Sequence, residues 1–198
     1  MTALIVAAHE AESDKQFETL GYPMLYTGIG KINATMHLIQ SFAHYWARKQ
    51  EPPQLVINLG TAGSFIHPIG SVVHARYLLQ RDMLCDGLPG VARYVTPLDC
   101  TAPEAILACS TIPLDVPEVI CGSGDSFVTQ PPPLSDYSIF DMEAYALARV
   151  CLEYDLTLIA LKCITDAGDA VAWKASLPTS ARVLTYYAKQ LIAAIHRR

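Results

Sequence analysis

Leu55-Val56-Ile57-Asn58-Leu59-Gly60-Thr61-Ala62-Gly63 is the stretch that decides the fold. Its first five residues are almost wholly apolar. A strand with one wet face would alternate, so this one reads as buried on both faces. Residues 60–63 then read as a glycine turn at the strand's end. The same grammar recurs on either side. Residues 3–8 are a second apolar run, followed by a polar stretch, 9–15, that opens a helix. Residues 22–26 read as a short strand that enters the glycine turn Thr27-Gly28-Ile29-Gly30-Lys31. Beyond it Ile32, Met36, Ile39, Ala43 and Trp46 recur at helical spacing, and Glu51-Pro52-Pro53 closes that helix.

Further along, residues 71–79, 119–121 and 157–163 read as strands. The second runs into Gly122-Ser123-Gly124-Asp125 and the third ends at Thr165-Asp166. Residues 141–154 read as a helix with Met142, Ala146, Val150 and Cys151 on one face. Residues 177–196 read as a second, lined by Leu184, Ala188, Leu191 and Ile195. Residues 81–117 show no clear period, and 130–136 are too proline-rich for regular structure. Alternating buried strands and amphipathic helices predict a three-layer α/β domain, taken as one domain over residues 1–198.

Composition narrows the function. Apolar residues make up 52% of the 198 and charged residues 17%, enough to bury a large core and far from a disordered or coiled-coil composition. The net charge of −5 argues against nucleic acid, whose phosphates need a basic face. No apolar run approaches the ~20 residues that span a bilayer, and the N-terminus carries no secretory pattern. The cysteines at 85, 100, 109, 121, 151 and 163 form no C-x-x-C pair, and the histidines lack ligand spacing. Reduced thiols, a cytoplasmic setting, no metal and no cofactor are expected.

Polar or glycine residues gather where the strands end: Glu12, Gly28 and Gly30, Gly60 to Gly63, Gly124 and Asp125, and Asp166. Ligands of open α/β sheets bind at those carboxyl ends. The glycine turns are not phosphate loops, since Gly28-Ile29-Gly30-Lys31-Ile32-Asn33 lacks the third glycine of a dinucleotide fingerprint. The carboxylates say more. Glu143 opens a helix, where the dipole alone favours it; Asp166 could cap a turn; Glu12 could be solvated. Grouped at one site, such acids can protonate a leaving group and activate water.

Six ordered blocks carry a resemblance. They are Ala8-His9-Glu10-Ala11-Glu12, Thr27 to Ala34, Val56 to Gly63, Gly122-Ser123-Gly124-Asp125-Ser126-Phe127-Val128, Asp141-Met142-Glu143-Ala144 and Ile164-Thr165-Asp166. Together they resemble the purine nucleoside phosphorylase/uridine phosphorylase superfamily, and within it the 5′-methylthioadenosine/S-adenosylhomocysteine nucleosidases. The resemblance implies an α/β/α fold with a central mixed sheet, a homodimer, and a purine nucleoside as the small-molecule partner. It implies that Asp166 protonates the purine, Glu12 activates water and Glu143 binds the ribose hydroxyls. Met142 would pack under the ribose, Phe127 on the purine, and Val128 would read its edge. Thr61, Ile29, His9 and Lys162 would complete the substrate site.

The blocks also depart from the resemblance. Lys162 stands where these nucleosidases usually carry arginine, His9 where an apolar residue lines the 5′ pocket, and Asp86 where that pocket is often aromatic. The stretch between Glu12 and Thr27 is short. Phosphorylases carry arginines near the positions of His9 to Glu12 and of Asn58; a carboxylate at Glu12 repels phosphate and suits water. Hydrolysis is therefore expected, with phosphorolysis, futalosine hydrolysis and turnover-free nucleoside binding as alternatives.

Overall fold

The computed structural model describes residues 2–85, 87–89, 91–95, 106–132 and 136–197. Asp86 and Cys100 lie outside them, as do parts of the 81–117 and 130–136 stretches. The elements run β1 (Ala3–Ala7), α1 (Glu10–Ser13), a 3₁₀ turn (Phe17–Leu20), β2 (Met24–Tyr26), α2 (Lys31–Ala47), β3 (Leu55–Gly63) and β4 (Val72–Gln80). Then come β5 (Ile106–Ala108), β6 (Glu118–Ser123), β7 (Ile139–Asp141), α3 (Ala144–Glu153), β8 (Thr157–Asp166) and α4 (Ala170–Ile195).

Among the described residues the strands form one eight-stranded mixed sheet. β2, β1, β3 and β8 are parallel neighbours. β4, β6 and β7 are parallel to one another. The two sets run in opposite directions and meet where β8 pairs β4 and where β7 pairs β3. β5 lies antiparallel along Tyr77 to Leu79 of β4. The path β3–β8–β4–β6–β7 thus returns to β3, and the sheet curls shut around its middle. Hydrophobic period locates strands but carries no information on that closure.

The apolar runs are continuous because alternate side chains enter two cores. Leu4, Val6, Val56, Leu158 and Ala160 face α2 and α3, together with Leu38, Phe42 and Leu147. Ala3, Ile5, Ile57, Leu59, Ile159 and Leu161 face α4, together with Ala181, Leu184, Ala188 and Leu191. These are the three layers that the alternation predicts.

Several local expectations are corrected. Residues 60–63 are not a turn: β3 runs through Gly63, and neither Gly60 nor Gly63 has a positive φ. Gly28 and Gly30 do turn the chain, at φ 79° and 93°. The α2 stripe is misplaced, because the buried line is Ala34, Leu38 and Phe42 while Ile32 is 78% exposed. Two apolar rows lie side by side on this helix, and period alone does not say which meets the sheet. Asp141 belongs to β7 and α3 begins at Ala144. α4 begins seven residues before the expected start, at Ala170, with Asp169 capping its first turn through Val171 N–H. It passes through Pro178, whose missing N–H argues for a break that helix packing overrides.

Leu38→Ala should therefore cost about 2–5 kcal/mol of stability and Ile32→Ala no more than about 0.5, measured by urea denaturation. Equal costs would reject this orientation of α2.

Candidate active site

The opposed strand sets bring the ends of β3, β8 and β7 to one place. Gly63 pairs with Phe140 across the antiparallel junction. A Cβ on Gly63 would sit 2.1 Å from the Phe140 ring, so only glycine lets the ring lie across β3. Beside this crossing is a cavity of about 260 Å³. Glu12, Glu143, Asp166, Met142, Phe127, Val128, Thr61, Ile29 and His9 all line it, as the sequence reading requires. Lys162 does not; it stands behind the wall.

Glu12 is held by the chain on both sides of its carboxylate. Oε1 accepts from the Thr61 N–H at 2.8 Å and the Thr61 hydroxyl at 2.7 Å. Oε2 accepts longer bonds from the N–H groups of Ala8, 3.2 Å, and His9, 3.3 Å. His9 caps α1, its Nδ1 accepting from Ala11 N–H at 3.0 Å. This reciprocal capping box turns Glu12 inward, which a solvated helix residue would not do.

Behind the cavity Lys162 Nζ lies 2.8 Å from Asp141 Oδ2, both side chains almost fully buried. The other Asp141 oxygen accepts from the Ser123 hydroxyl at 2.5 Å, and Oδ2 also accepts from Ala144 N–H at 3.0 Å. Burial works against the Asp141 charge, but Lys162 and these donors outweigh it and hold its pKa below the ordinary range. Burial likewise opposes charge on Lys162, and Asp141 and Glu143 override it, raising its pKa. Gly60 is needed beside them as space: a Cβ there would lie 3.3 Å from Lys162 Nζ and 3.4 Å from Glu12 Oε1.

Glu143 precedes α3 and accepts from Gly30 N–H at 2.8 Å. Burial, then repulsion from Asp141 and Glu12, push its pKa up to about 8 against the pull of Lys162. Asp166 ends β8. Its pKa is raised by burial, partly offset by bonds from Gly168 N–H at 2.9 Å and the Thr165 hydroxyl at 3.1 Å.

The sequence reading missed Asp141 as the partner of Lys162, and Trp173. Trp173 lines the cavity and donates its indole N–H to Thr61 Oγ1 at 3.1 Å. The signal was present: Asp169-Ala170-Val171-Ala172 has the pattern of a capped helix start. The segment carrying Phe127 is tied down by charges. Asp125 Oδ1 accepts from Lys31 N–H at 2.8 Å, Lys31 Nζ meets Asp82 at 2.5 Å, and Arg81 binds the Gly124 carbonyl at 2.9 Å.

The geometry defines a small-molecule pocket where buried carboxylates of raised pKa face an aromatic and apolar wall, an arrangement suited to acid–base cleavage. The chain belongs to the phosphorylase superfamily, whose family model matches residues 22–194. It is 26% identical over 163 residues to the 5′-methylthioadenosine/S-adenosylhomocysteine nucleosidase of Anoxybacillus flavithermus, covering 72% of this chain and 66% of that one. It is 28% identical over 166 residues to the nucleosidase of the same name from Bacillus thuringiensis, covering 72% and 67%. The matched part thus spans about two thirds of these curated relatives. Two solved Helicobacter pylori structures share the fold at 19% identity. One is a 5′-methylthioadenosine/S-adenosylhomocysteine nucleosidase bound to butyl-thio-DADMe-Immucillin-A (TM-score 0.78, 98% and 99% of the two chains). The other is a futalosine hydrolase (TM-score 0.79, 98% of each).

Two measurements test the electrostatics. An acid whose native pKa stands above its ordinary 4.5 destabilises the fold increasingly as pH rises from 4.5 to about 8. Glu143→Gln, which keeps the acceptor for Gly30, should gain stability over wild type across that window and hold the gain above it. Urea midpoints that stay parallel from pH 4 to 9 would reject this. Lys162→Met leaves Asp141 buried without its cation and should cost about 3–5 kcal/mol; a loss below about 1 kcal/mol would mean the pair is not formed.

Proposed function

We propose that the protein is a purine nucleoside N-ribosyl hydrolase that releases the base from nucleosides of the methylthioadenosine and S-adenosylhomocysteine type. The observation that carries the reading is the convergence of Asp166, Glu12 and Glu143 on one cavity with Phe127, Val128 and Met142. In this reading Phe127 stacks on the purine, Val128 meets its edge and Met142 packs under the ribose. Asp166, whose pKa burial raises, gives a proton to the base as the bond from sugar carbon to purine nitrogen breaks. Glu12 takes a proton from water as the water oxygen bonds to the same carbon. The base leaves neutral, the sugar gains a hydroxyl, and both carboxyls later exchange protons with solvent.

Glu143 accepts hydrogen bonds from the ribose hydroxyls. Its ionised form is disfavoured by burial and then by repulsion from Asp141 and Glu12. Positive charge growing on the sugar relieves that repulsion, so the interaction strengthens toward the transition state. The described cavity wall carries no lysine or arginine, and phosphate would meet Glu12 instead of a cation; this favours water over phosphorolysis. His9 at the wall supports a second reading of the 5′ end alone, in which a polar substituent such as that of futalosine is preferred.

The protein is further proposed to act as one domain, as a homodimer and in the cytoplasm. Exposed Ile32 and Met36 on α2 support self-association, and the unpaired Cys109, Cys121, Cys151 and Cys163 suit a reducing compartment. No helix among the described residues is long and apolar enough to cross a membrane.

Asp166→Asn should fold normally and lose about 10²–10⁴-fold in base release, while the wild-type rate should be the same with and without phosphate. Wild-type activity should fall at high pH as Asp166 loses its proton. A fully active Asp166→Asn protein would remove the proton donor from this scheme, and a strict phosphate requirement would make the enzyme a phosphorylase.

A further inference from the structure

We propose that Trp173 is a positioning residue that aims Thr61 at Glu12 and so selects which Glu12 oxygen receives the proton of water; this rests on the nucleosidase reading above. An indole nitrogen can only donate, so at the 3.1 Å contact Thr61 Oγ1 is the acceptor. The hydroxyl has one proton of its own, and 2.7 Å away lies Glu12 Oε1, which when ionised can only accept. The chain therefore has one polarity, from indole to hydroxyl to carboxylate. A free threonine hydroxyl would rotate; with the indole on its lone pair, pointing at Glu12 satisfies both neighbours.

The consequence falls on Glu12. Oε1 also accepts from Thr61 N–H at 2.8 Å, so the two short bonds to the carboxylate both fall on this oxygen. Oε2 has only the 3.2 and 3.3 Å bonds from Ala8 and His9. The proton drawn from water goes to Oε2, and the attacking water is placed on that side of the carboxylate. The other ionisable groups around Glu12 are Lys162 and Asp166 on β8, Asp141 on β7, Glu143 before α3, and His9 before α1. Trp173→Phe alters none of them and keeps a ring in the cavity wall, so a loss of kcat at unchanged KM that depends on Thr61 reports the relay.

The test is a double-mutant cycle on base release from methylthioadenosine with wild type, Trp173→Phe, Thr61→Val and the double variant. Trp173→Phe should lower kcat about tenfold, the order one hydrogen bond carries, with KM within about twofold of wild type. In the Thr61→Val background Trp173→Phe should lower kcat no further. The chain has 2 tryptophans, so the Trp173 indole N–H signal can be assigned by its loss in Trp173→Phe. That signal should shift and exchange faster in Thr61→Val. An equal loss of kcat in both backgrounds would make Trp173 a packing residue and overturn the proposal, as would an indole signal unmoved by Thr61→Val. Wild type that releases no base overturns the nucleosidase reading itself, and the proposal with it, before any variant is compared.

Discussion

A buried ammonium and a buried carboxylate, Lys162 and Asp141, hold the site together. They sit on strands from the two opposed halves of the sheet, β8 and β7, whose junction forms the cavity. Neither group would be tolerated alone there, since removing one partner strands the other charge away from water. Asp141 also accepts from Ser123 at the end of β6 and from the first residue of α3. One carboxylate thus gathers β6, β7, β8 and the start of α3. Met142 and Glu143 follow it directly in the chain, so fixing Asp141 fixes them.

That pair also sets the electrostatics of its neighbours. Asp141 repels Glu143 and Lys162 attracts it, and with burial the balance lies toward the protonated acid. Lys162 is committed to Asp141 and absent from the cavity wall. A lysine is a compact point charge that one carboxylate can satisfy, whereas an arginine fork offers donors to two. The departure from arginine noted in the sequence therefore has a physical effect. The cation stays behind the wall, and the direct hold on Glu12 comes from Thr61 and the α1 capping box.

The acids were legible and their supports were not. Glu12 and Asp166 follow or end an apolar run, and the runs are strands, so their place at one sheet edge could be read in one dimension; Glu143 read only as the start of a helix, and the resemblance drew it in. Asp141 and Lys162 lie on different strands and meet only because β7 and β8 both pair with β3. Trp173 was hidden for a different reason. The expected helix started at residue 177, so residues 167–176 had no assigned element. The α2 face was misread because Ile32 and Met36 are more apolar than the Ala34 beside them. Hydropathy reports where water is costly, and a surface can carry that cost when something outside the chain covers it.

Glycine shows the same limit most sharply. Gly28 and Gly30 are where they are because φ is positive, and a sequence reader who equates glycine with a turn is right there. At Gly60 and Gly63 the backbone is ordinary strand, and the missing Cβ is the point. Gly63 yields its side-chain space to Phe140, which lets the antiparallel junction close. Gly60 yields its space to Lys162 and Glu12, which lets a cation and a carboxylate approach across β3 without sharing a bond. A methyl group at Gly63 would press the strand halves apart at the aromatic wall, and one at Gly60 would crowd the ammonium and carboxylate by a few tenths of an ångström. The nine-residue strand quoted at the outset is therefore less a strand ending in a turn than a surface cut away where the active site is to be built.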